Sequence, residues 1–578
     1  MLLADLGDHA AKEPYLVVRN AEDDITLYRP FLASSSLAFL KCPNPVISMP
    51  RPKLAETPVF RPMVAMENVG GYVCVFLPGK DPAFVLKTAK SVPRLHRLAG
   101  TAVRSLAAFH TASADRGFVY VDVAGSVRVS LLPQDWNFDN PWHAKKLNLN
   151  ESFRALAWFD PMSVCIGATT RRSPFSVEEE DGRAEVDETQ LQPMVDTGSL
   201  VVVSPVTWTI VDRHEFAHNE VALAVHIVSL EVSEHTKEQR KLVAVGTGIF
   251  RGEDHSARGG VYVFEVIEVV PEPGRPETNR KLKLIAREEV KGTVSALCGV
   301  NGYLLAAQGQ KVMVRGLKED QSLLPVAFMD MNCYVSVAKS LGSMVVFGDF
   351  MKSVWFAGFS EEPYKMSLFG KDTQDMEVMA ADFLPDGRQL YFVAVDAKGA
   401  IRVLQYDPER KWRRISPGEK VYVCVLIGEM EVGVDPKSLA GQRLIHRAAF
   451  HVPHEILSLL LLPRIDDAHA LLAGTRAGGL ALVTTLPENS YRRLNILQNQ
   501  MVVAEEHVAG LNPKAFRHVA ATDRTGEFLR SVLDRGLLER WYGLATGRRA
   551  EMAERAGLEA AAVREEMRAV GAEGLGYL

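Results

Sequence analysis

The chain of 578 residues is 47% hydrophobic and 24% charged, with a formal net charge of −5. That length exceeds one ordinary domain and indicates three or four units, or one large repeat domain with additions. The proportions are those of globular proteins, and the mildly acidic balance excludes a chain-wide basic surface of the kind that grips nucleic acid.

Six cysteines (Cys42, Cys74, Cys165, Cys298, Cys333 and Cys424) lie far apart and form no CxxC pair. This argues against a disulfide framework or a structural zinc. No stretch reaches the ~18 uninterrupted apolar residues of a membrane span, and the first residues lack the basic-then-apolar order of a signal peptide.

The first predicted elements are the strands Tyr15–Val18 and Ile25–Tyr28, joined by an acidic turn. A lone hairpin is marginal, so residues 1–35 read as terminal strands of a preceding domain. Residues 36–69 carry Pro43, Pro45, Pro50, Pro52, Pro58 and Pro62 and read as a linker. Over residues 70–500 the dominant hydrophobic period is two. One segment type recurs, a Gly or polar turn followed by alternating apolar residues: Gly125–Val129, Gly260–Phe264, Gly309–Val314, Met351–Phe356, Gly399–Val403 and Gly478–Val483. From Gly260 to Gly399 the spacing is roughly 40–50 residues, the length of one four-stranded propeller blade, and the interval from Gly125 to Gly260 accommodates about three such units. Asn301-Gly302 and Asp386-Gly387 fall between apolar runs, where tight hairpin turns form. The fold class predicted is mainly β: a divergent propeller of about seven blades that lacks WD and GH signatures, closed so that its strand edges are hidden. After residue 500 the period becomes 3.6. Phe528, Leu529, Val532, Leu533, Leu537, Leu538, Trp541 and Tyr542 form one stripe, and a further helix fits 549–568. Residues 501–578 therefore read as a small helical C-terminal domain whose apolar stripe packs on a neighbour.

The chemistry-bearing motifs are few. His214-Glu215-Phe-Ala-His218 matches HExxH, a zinc motif when it lies on a helix. Its flanks, Val206–Val211 and Val221–Val228, are strand-like. On a strand the two imidazoles stand roughly 13 Å apart and do not converge on an ion, so the motif reads as a decoy. Gly246-Thr-Gly248 and Gly292 sit in turns without the helix start that phosphate binding needs. Asp181, Glu185, Asp187 and Glu188 fall in a polar loop. No catalytic set and no cofactor motif is assembled. Arg492-Arg493 is placed in an exposed turn entering the helical tail. These two residues, with Asn512, Phe516 and Arg517, are the candidate contacts to a partner or to RNA.

Several ordered stretches carry a resemblance: Pro14–Val18, Arg116–Tyr120, Ser204–Trp208, Val263–Gly274, Lys291–Cys298, Gly309–Lys311, Asp349–Ser353, Gly441–Arg447 and Gly510–Arg517. Together they resemble the largest subunit of the cleavage and polyadenylation specificity factor. Its architecture is shared by the large subunit of damaged-DNA-binding protein and by a large splicing-factor subunit. The resemblance implies three propellers and a helical domain, of which this sequence covers the tail of the middle propeller, the third propeller and the helices. It implies a nuclear, non-enzymatic scaffold that holds WD-repeat and zinc-finger subunits reading the AAUAAA signal, with pre-mRNA met indirectly. The alternatives are a propeller that binds RNA directly, or a scaffold of the related DNA-damage or splicing complexes. One segment departs from the family pattern. Between the Gln405–Glu409 and Asp435–Ser438 segments, residues 410–434 read as an insertion outside the blades, with Val421–Ile427 lacking a partner strand.

Overall fold

The computed structural model describes residues 1–19, 25–33, 36–42, 62–79, 82–98, 102–133, 138–139, 148–174, 178–179, 182–183, 194–233, 235–251, 254–275, 278–387, 389–408, 421–424, 439, 441–464, 469–504 and 533–569. The chain divides into two compact units, Met1–Asn148 with Gly536–Arg564, and Leu149–Arg535 with Glu565–Leu578.

In the first unit the expected hairpin is present and longer, Ala11–Arg19 against Ile25–Ala33. It is extended by Leu2–Asp8, a strand the sequence reading did not anticipate. Leu2–Asp8 in turn pairs with Tyr72–Leu77, Gly7 opposite Val73. That strand is buried on both faces. Val75 and Leu77 join Leu6, Val17 and Leu27 in one cluster, while Cys74 and Phe76 join Phe84 and Phe118 in another. Two-sided burial explains why Tyr-Val-Cys-Val-Phe-Leu is a continuous apolar run and not an alternating one. The expected domain start at residue 70 is therefore corrected. Strands from Val64–Val69 to Val127–Ser130 belong with the N-terminal strands, because backbone pairing at Gly7 and Asp8 bridges the Pro-rich segment, whose residues 43–61 lie outside the described set.

Helical residues also belong to this unit. Trp541 is fully buried, the Arg549 guanidinium lies 5.7 Å from its ring centroid, and Lys41 Nζ donates to the Gly543 carbonyl at 2.5 Å. Leu537 is buried here, and Leu533 in the second unit, as the stripe requires; Phe528, Leu529 and Val532 lie outside the described residues. The single helix expected over 549–568 is two, Thr546–Arg555 and Ala560–Ala569. Gly557, at φ +73°, ends the first: its N–H bonds the Glu554 carbonyl and the Leu558 N–H bonds that of Ala553, the paired closure of a Schellman cap.

The second unit holds six four-stranded antiparallel sheets among its described residues. The first consists of Ser152–Phe159, Val164–Pro174, Met194–Val203 and Ile210–Glu215. The second runs Glu220–Glu231, Gln239–Ile249, Arg258–Glu268 and Arg280–Lys291. The third runs Val294–Val300, Tyr303–Gln308, Lys311–Leu317 and Leu323–Asp330. The fourth runs Val335–Leu341, Met344–Asp349, Ser353–Glu361 and Tyr364–Lys371. The fifth comprises Val378–Asp386, Gln389–Asp396, Ala400–Tyr406 and Ile445–His451. The sixth comprises Ile456–Pro463, His469–Thr475, Leu480–Pro487 and the outer strand Val421–Cys424.

Successive first strands lie side by side. One hydrophobic cluster fills each space between consecutive sheets, first to second through fifth to sixth. Each recurring segment read from the sequence marks the third strand of its sheet, Gly125–Val129 doing so in the three-stranded sheet of the first unit. The segment recurs because the second and third strands form a tight hairpin whose turn needs Gly or polar residues. The hairpin turn at Asn301 (φ +45°) and Gly302 (φ +83°) has two left-handed residues in succession, as a right-twisted pair demands. Among the described residues the interval from Gly125 to Gly260 contains one intervening third strand, Met194–Val203, where three repeat units would need two. The reason is the long connection from Pro174 to Met194.

Two further corrections concern the end of the array. Helix α1, Glu488–Ala504, begins well before residue 501 and buries Tyr491, Leu494, Leu497 and Met501. Val421–Cys424 is not an unpaired run: it pairs antiparallel with Leu480–Pro487, Val421 opposite Pro487 and Cys424 opposite Thr484. The insertion supplies the outermost strand of the sixth sheet. Deleting residues 421–424 leaves the 480–487 edge unpaired and lowers the thermal midpoint by at least about 2 °C, read by differential scanning calorimetry; an unchanged midpoint contradicts a structural role for this strand.

Candidate interaction surface

The Asp349–Ser353 segment forms the turn into the third strand of the fourth sheet. The Asp349 carboxylate is buried and fully engaged. Oδ1 accepts the Met351 and Lys352 N–H groups at 2.9 Å, and Oδ2 accepts that of Cys333 at 3.1 Å. These three amide contacts fix the turn, so Phe350 and Met351 project outward from a rigid base, 42% and 57% exposed.

Ser353 closes the turn at φ +66° and donates through Oγ to Asp372 at 2.6 Å. Asp372, buried at the end of the fourth sheet, also meets His446 Nε2 at 2.7 Å and accepts the Gln374 N–H at 3.0 Å. Arg402 Nη1 stands 4.0 Å away. Arg402 and His446 belong to the fifth sheet, so this carboxylate staples two sheets together. Burial pushes its pKa up, but the hydrogen bond and charge of His446, with Ser353 and the Gln374 amide, outweigh it and hold the carboxyl below its ordinary value.

Similar staples recur. Arg315, with no exposed surface, donates through Nε to Glu288 at 2.7 Å and through Nη2 to Gln308 at 2.5 Å, tying the second sheet to the third. Within the second sheet, buried Glu220 accepts the Thr247 hydroxyl at 2.5 Å and that of Tyr262 at 2.9 Å. Burial, reinforced by this carboxylate, raises the Tyr262 pKa.

A cleft of about 630 Å³ opens beside the Asp372 staple, lined by Phe350, Met351, Asp375, Glu377, Lys398 and Arg402 among others. The sequence reading did not find it. The signal lay in Asp349-Phe-Met-Lys-Ser, where two large apolar residues stand in a turn whose other positions are polar.

The HExxH residues are on strands, as read. His214 lies on Ile210–Glu215, its ring centroid 4.9 Å from that of Phe264 and 5.4 Å from that of Phe216; burial lowers its pKa. Glu215 is 3.8 Å from Arg171, and His218 Nε2 donates to the Pro174 carbonyl at 2.9 Å. Among the described residues, no three His, Cys, Asp or Glu side chains are grouped to hold a metal. Arg492 and Arg493 are not in a turn but in α1, because the helix starts at Glu488. Arg492 pairs with Glu488 and Arg493 with Glu566. Asn512, Phe516 and Arg517 lie outside the described residues.

Repeated four-stranded sheets, side by side through their first strands and sharing the intervening cores, define a β-propeller protein. Residues 1–132 match the family model described as the RSE1/DDB1/CPSF1 second beta-propeller, and residues 197–543 match the CPSF A subunit region. The chain belongs to the CPSF A subunit family. It is 39% identical to Protein CFT1 of Coccidioides immitis, over all of this chain and 42% of that one. It is 41% identical to Protein cft1 of Neurospora crassa, over 96% of this chain and 39% of the relative. With Protein cft1 of Schizosaccharomyces pombe the identity is 36%, over 98% and 40%. The chain thus spans about two fifths of the length of these relatives.

The staple gives a pH signature. Because the folded-state pKa of Asp372 is depressed, its contribution to stability is full above the ordinary value of 3.8 and is lost as pH falls through the lower folded value. Asp372→Asn lowers stability by about 2 kcal/mol at pH 7, and the gap from the parent narrows below pH ~4; thermal melts across that range check this, and a pH-independent gap contradicts it. Metal analysis of the purified protein is expected to find no stoichiometric zinc and no change on His218→Ala. Bound zinc lost in that variant overturns the strand reading of the motif.

Proposed function

We propose that this chain is part of a nuclear, non-enzymatic scaffold of the pre-mRNA 3′-end cleavage and polyadenylation machinery. In this reading it organises WD-repeat and zinc-finger subunits that recognise the AAUAAA signal, and it meets pre-mRNA through them. The observation that carries the proposal is membership of the CPSF A subunit family, with relatives aligned along the whole chain. The architecture supports it physically. Sheets locked by shared cores and buried ion pairs present their turns at fixed positions, which lowers the ordering cost of association. The engaged states of Arg492 and Arg493 favour a structural role for that pair over direct RNA contact.

Affinity capture of the tagged chain from nuclear extract, read by mass spectrometry, is expected to enrich polyadenylation-factor subunits. Enrichment of splicing or DNA-damage subunits in their place overturns the assignment. Retention of RNA by the purified chain alone favours the direct RNA-binding alternative.

A further inference from the structure

The cleft between the fourth and fifth sheets lies at the end of the sheets where the turns enter the third strands. Its walls differ in character. One is the apolar shelf of Phe350 and Met351, exposed yet rigidly supported by Asp349. Adjacent exposed apolar side chains on a soluble surface mark places where another molecule is received. The remaining walls carry the carboxylates Asp375, Glu377 and Asp396 with Lys398, Arg402 and His451.

The charges decide what is received. Arg402 is already committed: it stands 4.0 Å from the Asp372 carboxylate, and its Nη1 donates to the Asp375 carbonyl at 3.3 Å. Lys352 is paired with Asp375 at 3.0 Å. Asp396 uses Oδ1 to hold its own turn, accepting the Lys398 and Ala400 N–H groups at 2.9 and 2.7 Å, which leaves Oδ2 as acceptor. Glu377 is exposed at the rim. Lys398 and His451 also line the cleft. Among the described residues Arg402 and Lys352 are held by Asp372 and Asp375, so against Lys398 the carboxylates Glu377 and Asp396 tip the charge negative. Phosphate groups are disfavoured and cations favoured.

We propose that this cleft docks a short segment of a partner protein in which a Lys or Arg stands beside an apolar side chain. The apolar group covers Phe350 and Met351, while the cation reaches Glu377 and Asp396. The volume suits an anchor of two or three residues, and the rigid turn preorganises the shelf, so little ordering cost falls on this side of the contact. The proposal deepens the scaffold reading and rests on it: it gives the chemistry of one partner segment.

The test is fluorescence anisotropy with the full chain. The probe is a labelled peptide, Gly-Ser-Lys-Leu-Arg-Phe-Ser-Gly, set against the charge-reversed Gly-Ser-Glu-Leu-Glu-Phe-Ser-Gly and against a labelled oligouridylate. The basic peptide is expected to bind at least about tenfold more tightly than either competitor. Glu377→Lys and Met351→Ser are each expected to weaken it by about fivefold or more. Both positions are exposed, and unchanged circular dichroism and thermal midpoint confirm that the variants fold. Three results overturn the proposal: no saturable binding of the basic peptide up to about 1 mM, equal or tighter binding of the acidic peptide or the RNA, or folded variants that bind like the parent. Failure here leaves the co-purification result standing, whereas loss of polyadenylation subunits from the parent chain removes the scaffold reading whatever the peptide does.

Discussion

A four-stranded antiparallel sheet has two faces and cannot cover both by itself. Everything in the second unit follows from that constraint. Each space between consecutive sheets is filled from both sides, as Val243, Val245 and Phe264 meet Ile166 and Leu200 between first and second, and Phe356 meets Phe383 and Phe392 between fourth and fifth. The sheets are therefore stabilised by their neighbours more than by their own hairpins, and the energetics approximate a sum of nearest-neighbour interfaces. The same logic leaves apolar residues exposed where no sheet covers them: Leu156 and Trp158 on the first sheet, Leu460 on the sixth.

Apolar contacts alone permit neighbouring sheets to slide. Buried polar groups restrict that freedom, because a displaced carboxylate or guanidinium loses partners it cannot replace in the interior. Arg315 reaches Glu288 only in one alignment of the second and third sheets, and Asp372 requires Ser353 and His446 at once. The turn of Asp349 is built on the same footing. Its rigidity is thus inherited from the interface beneath it, and the cleft's shape depends on the staple that holds the two sheets in register.

Much of this was legible in the sequence, for a physical reason. The third strand of each sheet follows a tight turn, and tight turns restrict residue type, so a local signal marks a global repeat. The strand setting of His214 was likewise evident from its flanks. What escaped depended on distant pairing. Tyr72–Leu77 looked like the opening of a new domain because nothing local shows that Leu2–Asp8 lies beside it. Val421–Cys424 looked unpartnered because its partner lies beyond two intervening strands of the same sheet. The onset of α1 was hidden because Leu480–Pro487 is strand-like up to its last residue. The cleft was illegible because its walls come from separate turns, each unremarkable alone.

The non-consecutive outer strand of the sixth sheet bears on how the protein is made. Val421–Cys424 leaves the ribosome before any of the three strands that complete its sheet. At roughly 5–20 residues per second, its backbone donors and acceptors wait several seconds for Leu480–Pro487 to be synthesised. During that interval the nascent chain carries an unpaired strand while the first four sheets are already complete and the fifth gains its last strand, Ile445–His451. The last sheet is then closed by a segment already in place, so translation speed across this stretch, and any chaperone that shields an open strand edge, bear on the yield of correctly closed protein.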